Sequence, residues 1–175
     1  MTFTPRWLPA RRYWQAGLHP PHKDWVLSRG SLTAALVTLS QHHFQVNVLH
    51  QGWHKPQRDE SLALGLPPYQ RAWVREVALE GHGVCWVQAR SIIPVHTLRG
   101  KGRRLRFLGS RSLGSLLFKG GQRGAMTLRS PNRQHDDWAR RSCFYYGGQP
   151  LLVQESFLPA LFEAVAQQPN PRPSV

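Results

Sequence analysis

The chain has 175 residues, 23 Lys and Arg against 9 Asp and Glu, and a formal net charge of +14 at neutral pH. That length suits one domain, and a hydrophobic content of 41% with seven Trp supplies a core, which excludes wholesale disorder. No apolar run approaches the roughly 18 residues of a membrane span, the first fourteen residues lack the apolar stretch of a signal peptide, and two cysteines cannot build a disulfide framework. The expectation is a soluble, cytoplasmic, strongly basic single domain over residues 1–175, with 1–11 and 167–175 as irregular ends.

In chain order, residues 1–21 are rich in Pro and Arg and read as an irregular lead-in. Ser31 followed by Leu32, Ala35, Leu36 and Leu39 predicts a capped amphipathic helix. Residues 44–53 alternate, with Phe44, Val46 and Val48 on one side and Gln45 and Asn47 on the other, as a half-buried strand does. Pro56, Gly65, Pro67 and Pro68 mark 55–70 as a connection with little regular structure. Residues 71–80 and 84–93 read as two strands joined by the turn signal Gly81-His82-Gly83, and Pro94 ends the second. A basic loop or short helix is expected over 99–111, a short helix over 112–118 capped by Ser112, and a mobile connection over 119–137. A second hairpin follows, 141–146 and 151–158 around Gly147 and Gly148, then Pro159 and a short helix. The sum is α+β: an antiparallel sheet with helices packed on it.

The charge is concentrated. Residues 81–135 hold eleven Lys and Arg and no Asp or Glu, densest at Arg99, Lys101, Arg103, Arg104, Arg106 and Arg111. Nineteen of the 23 basic residues are Arg, which suits bidentate contact with carboxylate or phosphate. Such a stretch reads either as an anion-binding surface or as a solvated loop that keeps the protein soluble. No helix-turn-helix, zinc-finger or ribonucleoprotein pattern accompanies it, which argues against nucleic acid.

Alternation along the strands isolates three ions on apolar faces. Arg75 shares parity with Trp73, Val77 and Leu79; Arg90 with Val84, Trp86 and Ile92; Glu155 with Leu151, Val153 and Phe157. Each needs a partner or a ligand, because an unpaired buried ion is costly. With a two-residue turn at His82-Gly83 and regular pairing, Arg75 lies opposite Arg90, and an anion between them would relieve the repulsion. Two readings follow: a structural Arg–Glu pair, or a closed pocket for a small, partly apolar polyanion. His42, His43, His50 and His54 do not fall at metal-ligand spacing, Cys85 and Cys143 read as buried thiols, and Trp73 and Trp86 as core.

The stretch AWVREVALEGHGVCWVQARSIIPVHTL (72–98) resembles the chorismate lyase family. So do LGSRSLGSLLF (108–118), the Trp-x-Arg-Arg-Ser of 138–142, and QPLLVQESFLP (149–159), all in family order. The resemblance spans about residues 12–162. It implies an antiparallel sheet of about six strands with surrounding helices, a monomer, and conversion of chorismate to 4-hydroxybenzoate and pyruvate without metal or organic cofactor, as the first committed step of ubiquinone biosynthesis. It also implies substrate contacts at Arg75, Leu113, Glu155 and Arg90, with Glu155 handling a proton. Leu32 stands where members often have Met, and the basic excess at 99–111 departs from more neutral members. Chorismate carries two carboxylates, which Arg75 and Arg90 would answer. No obligate protein partner and no nucleic acid is implied; the basic loop could lie near a membrane surface. Two alternatives remain: a non-catalytic ligand-sensing module of the same fold, and a basic nucleic-acid-binding domain.

Overall fold

A computed structural model describes residues 7–132 and 135–168. The outermost irregular ends expected from the sequence, 1–6 and 169–175, lie outside the described residues. Seven antiparallel strands form one sheet: β1 (Leu8–Pro9), β2 (Phe44–His54), β3 (Ala72–Gly81), β4 (Val84–Pro94), β5 (Gly121–Arg129), β6 (Trp138–Tyr146) and β7 (Gln149–Phe157). Their spatial order is β1-β5-β6-β7-β4-β3-β2. Among the described residues five α-helices accompany them: α1 (His22–Val26), α2 (Leu32–Leu39), α3 (Arg58–Leu64), α4 (Leu113–Gly120) and α5 (Pro159–Ala166). The α+β expectation holds, with a sheet one strand wider than about six.

Three stretches carry more structure than expected. Residues 58–64, expected within a connection of little regular structure, form helix α3. Leu8 and Pro9 pair with Leu128 and Thr127, and residues 10–16 form a 3₁₀ helix, so the chain is regular well before residue 21. Residues 121–129, expected as a mobile connection, are strand β5, paired to β6 over most of its length. Their glycines and exposed positions hide the strand pattern, and β5 takes its structure from its neighbours on both sides.

Local chemistry explains the helices that matter. Ser31 caps α2, its Oγ accepting from the Ala34 N–H at 3.2 Å, and Leu32, Leu36 and Leu39 face the core. In α3 the Glu60 carboxylate accepts from the Gln57 N–H at 2.8 Å, and Gly65 ends the helix at φ 64°. Ser112 precedes α4 as expected, but its hydroxyl hydrogen-bonds Thr33 Oγ1 at 2.7 Å instead of capping its own helix. That bond ties the start of α4 to the start of α2.

The β3–β4 hairpin decides which side chains share a face. The turn is the two-residue His82-Gly83 with both φ positive, and Gly81 pairs with Val84 and Glu80 with Cys85. Leu79 then pairs with Val87, so Trp86 is an extra residue in a bulge. Its indole fills the space where Gly81 lacks a side chain; a Cβ there would sit 2.2 Å from the ring. The bulge advances the register by one. Arg75 therefore lies opposite Ser91, and Arg90 lies opposite Glu76.

One face of the sheet packs α2, α5 and the core around Trp25, Leu36, Trp86, Phe157 and Leu161. The other is covered by α3, over the smaller cluster of Ala72, Val74, Ile92 and Leu152.

Candidate functional site

Two rows of the sheet build a cavity floor. One row runs Val77, Ala89, Glu155 and Arg140 from β3 to β6. The next runs Arg75, Ser91 and Val153. On β4 both rows carry small side chains, Ala89 and Ser91, between bulkier neighbours. The resulting cavity holds about 270 Å³, roofed by residues 29–33 around the start of α2, by Ser112, and by Leu113, Gly114, Leu117 and Phe118 of α4. A volume of this order suits a small ring compound.

The cavity is lined by four arginines, Arg29, Arg75, Arg123 and Arg140, and one carboxylate, Glu155. Arg75 is 2% exposed. Its Nη2 donates to the carbonyls of Gly109 (2.8 Å) and Arg111 (3.0 Å), which clamps the loop before α4 over the site. Its Nη1 is buried without a hydrogen-bond partner. Burial pulls the Arg75 pKa below its ordinary value, though a guanidinium in a protein stays protonated. Arg140 is completely buried. It donates through Nε to Glu155 and through Nη1 to the Ser28 (2.8 Å) and Val26 (3.3 Å) carbonyls, while Nη2 is left unpartnered. Arg123 donates to the same Ser28 carbonyl at 3.2 Å and lies over the Phe144 ring.

Where it lines a cavity, a buried cation with an unused donor suits an anionic ligand, because an incoming carboxylate would satisfy that donor. Glu155, held by Arg140, is an acceptor at the same cavity. The arrangement can hold a small anion through several N–H donors and accept a hydroxyl from it, beside the apolar wall of Val77, Leu79, Leu113 and Leu117.

Of the site residues expected from sequence, Arg75, Leu113 and Glu155 line this one cavity, as does Leu32. Arg90 does not. The bulge at Trp86 puts it on the other face, where Nε and Nη2 donate to Glu60 at 2.7 and 3.0 Å and Nη1 donates to Glu76. Arg90 is thus a structural ion-pair residue that fastens α3 to the sheet, and the repulsive Arg75–Arg90 pairing does not occur. Arg141 does the same beside it, donating to Asp59 and Gln154.

Sequence reasoning missed Arg29, Arg123 and Arg140. Arg140 lay in the quoted Trp-x-Arg-Arg-Ser block, and its parity opposite Glu155 needed the β6–β7 register to be seen. The basic stretch splits: Arg99, Lys101, Arg103, Arg104 and Arg111 are exposed, while the Arg106 guanidinium lies 5.5 and 4.9 Å from the Trp53 and Trp73 ring centroids. His50 and His54 meet across Gly52 with Nε2 atoms 2.7 Å apart, but among the described residues no group of three or more metal-ligating side chains forms. Among the same residues, no helix is long and apolar enough to cross a membrane.

Comparison with known proteins adds an independent line. A family model described as chorismate lyase matches residues 6–167. A probable chorismate pyruvate-lyase of Marinobacter nauticus is 41% identical over 168 residues, 93% of this chain and 89% of that protein. A probable chorismate pyruvate-lyase 2 of Pseudomonas fluorescens is 44% identical over 157 residues, 84% of this chain and 86% of that protein. Among solved structures, the effector domain of PhnF from Mycobacterium smegmatis superposes with a TM-score of 0.53 at 14% identity, over 77% of this chain and 91% of that one. A possible transcriptional regulator, YydK of Bacillus subtilis, gives 0.52 at 13% identity, over 68% and 60%. At such identities the likeness to these two structures shows the fold.

Proposed function

This chain belongs to the chorismate lyase family, and from that premise we propose that it eliminates pyruvate from chorismate to give 4-hydroxybenzoate. The observation that carries the reading is the joining of Arg75, with its unpartnered Nη1, and Glu155 in one cavity of ring-compound size. Arg75 takes the ring carboxylate, and Glu155 accepts the hydroxyl at the opposite end of the ring. Leu113, at the first turn of α4, packs on the ring and helps close the roof.

In the reaction, the carbon bearing the hydroxyl loses its hydrogen as a proton. Its electron pair enters the ring, and the bond from the adjacent carbon to the enolpyruvyl oxygen breaks. The ring becomes aromatic, and the departing enolpyruvate gains a proton at its methylene carbon to become pyruvate. Aromatisation supplies the driving force, so the protein contributes orientation, exclusion of water and proton handling. Glu155, the carboxylate that lines the cavity, is the group placed to receive the ring proton on this reading.

The family resemblance supports a monomeric, cytoplasmic enzyme that needs no metal or organic cofactor and acts at the first committed step of ubiquinone biosynthesis. The exposed cations of residues 99–111 support steering of a dianion toward the site. Incubation of purified protein with chorismate in the presence of chelator tests the reading: 4-hydroxybenzoate and pyruvate should appear in equal amounts. Tight chorismate binding with no product would instead favour a ligand-sensing role, the reading that the likeness to an effector domain supports.

A further inference from the structure

Chorismate has two carboxylates, and the departure of Arg90 to the opposite face leaves the second without a ligand. On the lyase reading, the ring carboxylate sits at Arg75 and the ring hydroxyl at Glu155. The enolpyruvyl ether is on the carbon next to the hydroxyl. Its carboxylate is therefore directed to the Glu155 end of the cavity, away from Arg75.

That end holds a cation that forms no ion pair among the described residues, Glu155 being already paired with Arg140. Arg123, on β5, is half-buried, lines the cavity, and makes one hydrogen bond, to the Ser28 carbonyl. Arg140 beside it is neutralised by Glu155 but retains a free buried Nη2. The electrostatics sort the arginines the same way. Burial lowers the Arg123 pKa, Arg140 and Arg29 lower it further and Glu155 opposes them, whereas Arg75 responds to burial alone.

The geometry points to Arg123 as the residue that holds the enolpyruvyl carboxylate, with the free Nη2 of Arg140 as second donor and exposed Arg29 at the mouth on the exit side. Binding there fixes the leaving group and draws negative charge toward the cluster as the C–O bond breaks. A carboxylate in this place also removes the mutual repulsion of Arg123 and Arg140.

The assignment separates substrate from product, because 4-hydroxybenzoate lacks this carboxylate. In Arg123→Gln, kcat/KM for chorismate should fall about 10- to 100-fold, the loss expected for one charge-assisted contact. The affinity for 4-hydroxybenzoate should stay within about twofold, which also reports an intact pocket. Arg123→Lys should recover part of the loss. Unchanged kcat/KM in Arg123→Gln, or an equal loss of chorismate and 4-hydroxybenzoate binding, would overturn the assignment. Should the wild-type protein show no turnover, the lyase reading fails by itself. Calorimetry then decides this one: chorismate must bind wild type at least tenfold more tightly than Arg123→Gln.

Discussion

Glu155 on β7 and Arg140 on β6 face each other in the sheet, and their ion pair has its cationic end wholly buried. The pair is both the cavity's acceptor and the means by which a buried guanidinium is tolerated. Breaking it by Glu155→Ala leaves Arg140 uncompensated, which typically costs about 3–5 kcal/mol. We expect a lower Tm together with a loss of turnover much larger than the loss of chorismate affinity. Glu155→Gln should recover part of the Tm and none of the turnover. Normal turnover in Glu155→Ala would refute the proton role.

Arg75 acts in two places at once, on the cavity and on the carbonyls of Gly109 and Arg111. Arg75→Ala should therefore weaken chorismate and 4-hydroxybenzoate alike, by about 100-fold for a lost charge-assisted contact. It should also speed hydrogen exchange at residues 108–112, where the loop loses its clamp. Loss of binding without faster exchange would mean that the clamp contributes nothing to closure.

Arg90 gives the contrasting case. Its partner Glu60 is 1% exposed, while Arg90 keeps 22% and Glu76 38% of their side-chain surface. Removing Arg90 should cost about 3 kcal/mol, the low end for a broken buried pair. At temperatures where Arg90→Ala remains folded, kcat/KM for chorismate should be within twofold of wild type. A large kinetic defect in a variant of normal Tm would return Arg90 to the site.

His22 supplies a pH-dependent contribution to stability. Its ring lies tilted against Phe162, with centroids 3.9 Å apart, and burial holds its pKa below the ordinary 6.5. The unfolded chain therefore takes up this proton first as pH falls. The contribution is complete above pH 6.5 and is lost as pH drops below it. In thermal melts at pH 7.5 and pH 5, the difference in Tm should be smaller for His22→Phe than for wild type. An equal difference would remove His22 as a source of acid sensitivity.

The sequence by itself determined the α+β class, both hairpins, the capped helix at Ser31 and three of the residues lining the cavity, Arg75, Leu113 and Glu155. Those features are local: alternation, turn residues and capping depend on near neighbours in the chain, and the family motifs are contiguous. Tertiary structure decided the rest. One bulge residue, Trp86, whose ring needs the bare Gly81 beneath it, moved Arg90 through the sheet to Glu60 and Glu76. Strand β5 had no apolar alternation to betray it and exists because β1 and β6 satisfy its backbone. The net charge of +14 divided likewise, into exposed arginines at 99–111 and buried ones at the cavity. Parity assigns a side chain to a face only while the pairing is regular. Which face becomes a cavity depends on what lies across the sheet, and that is set by contacts far apart in sequence.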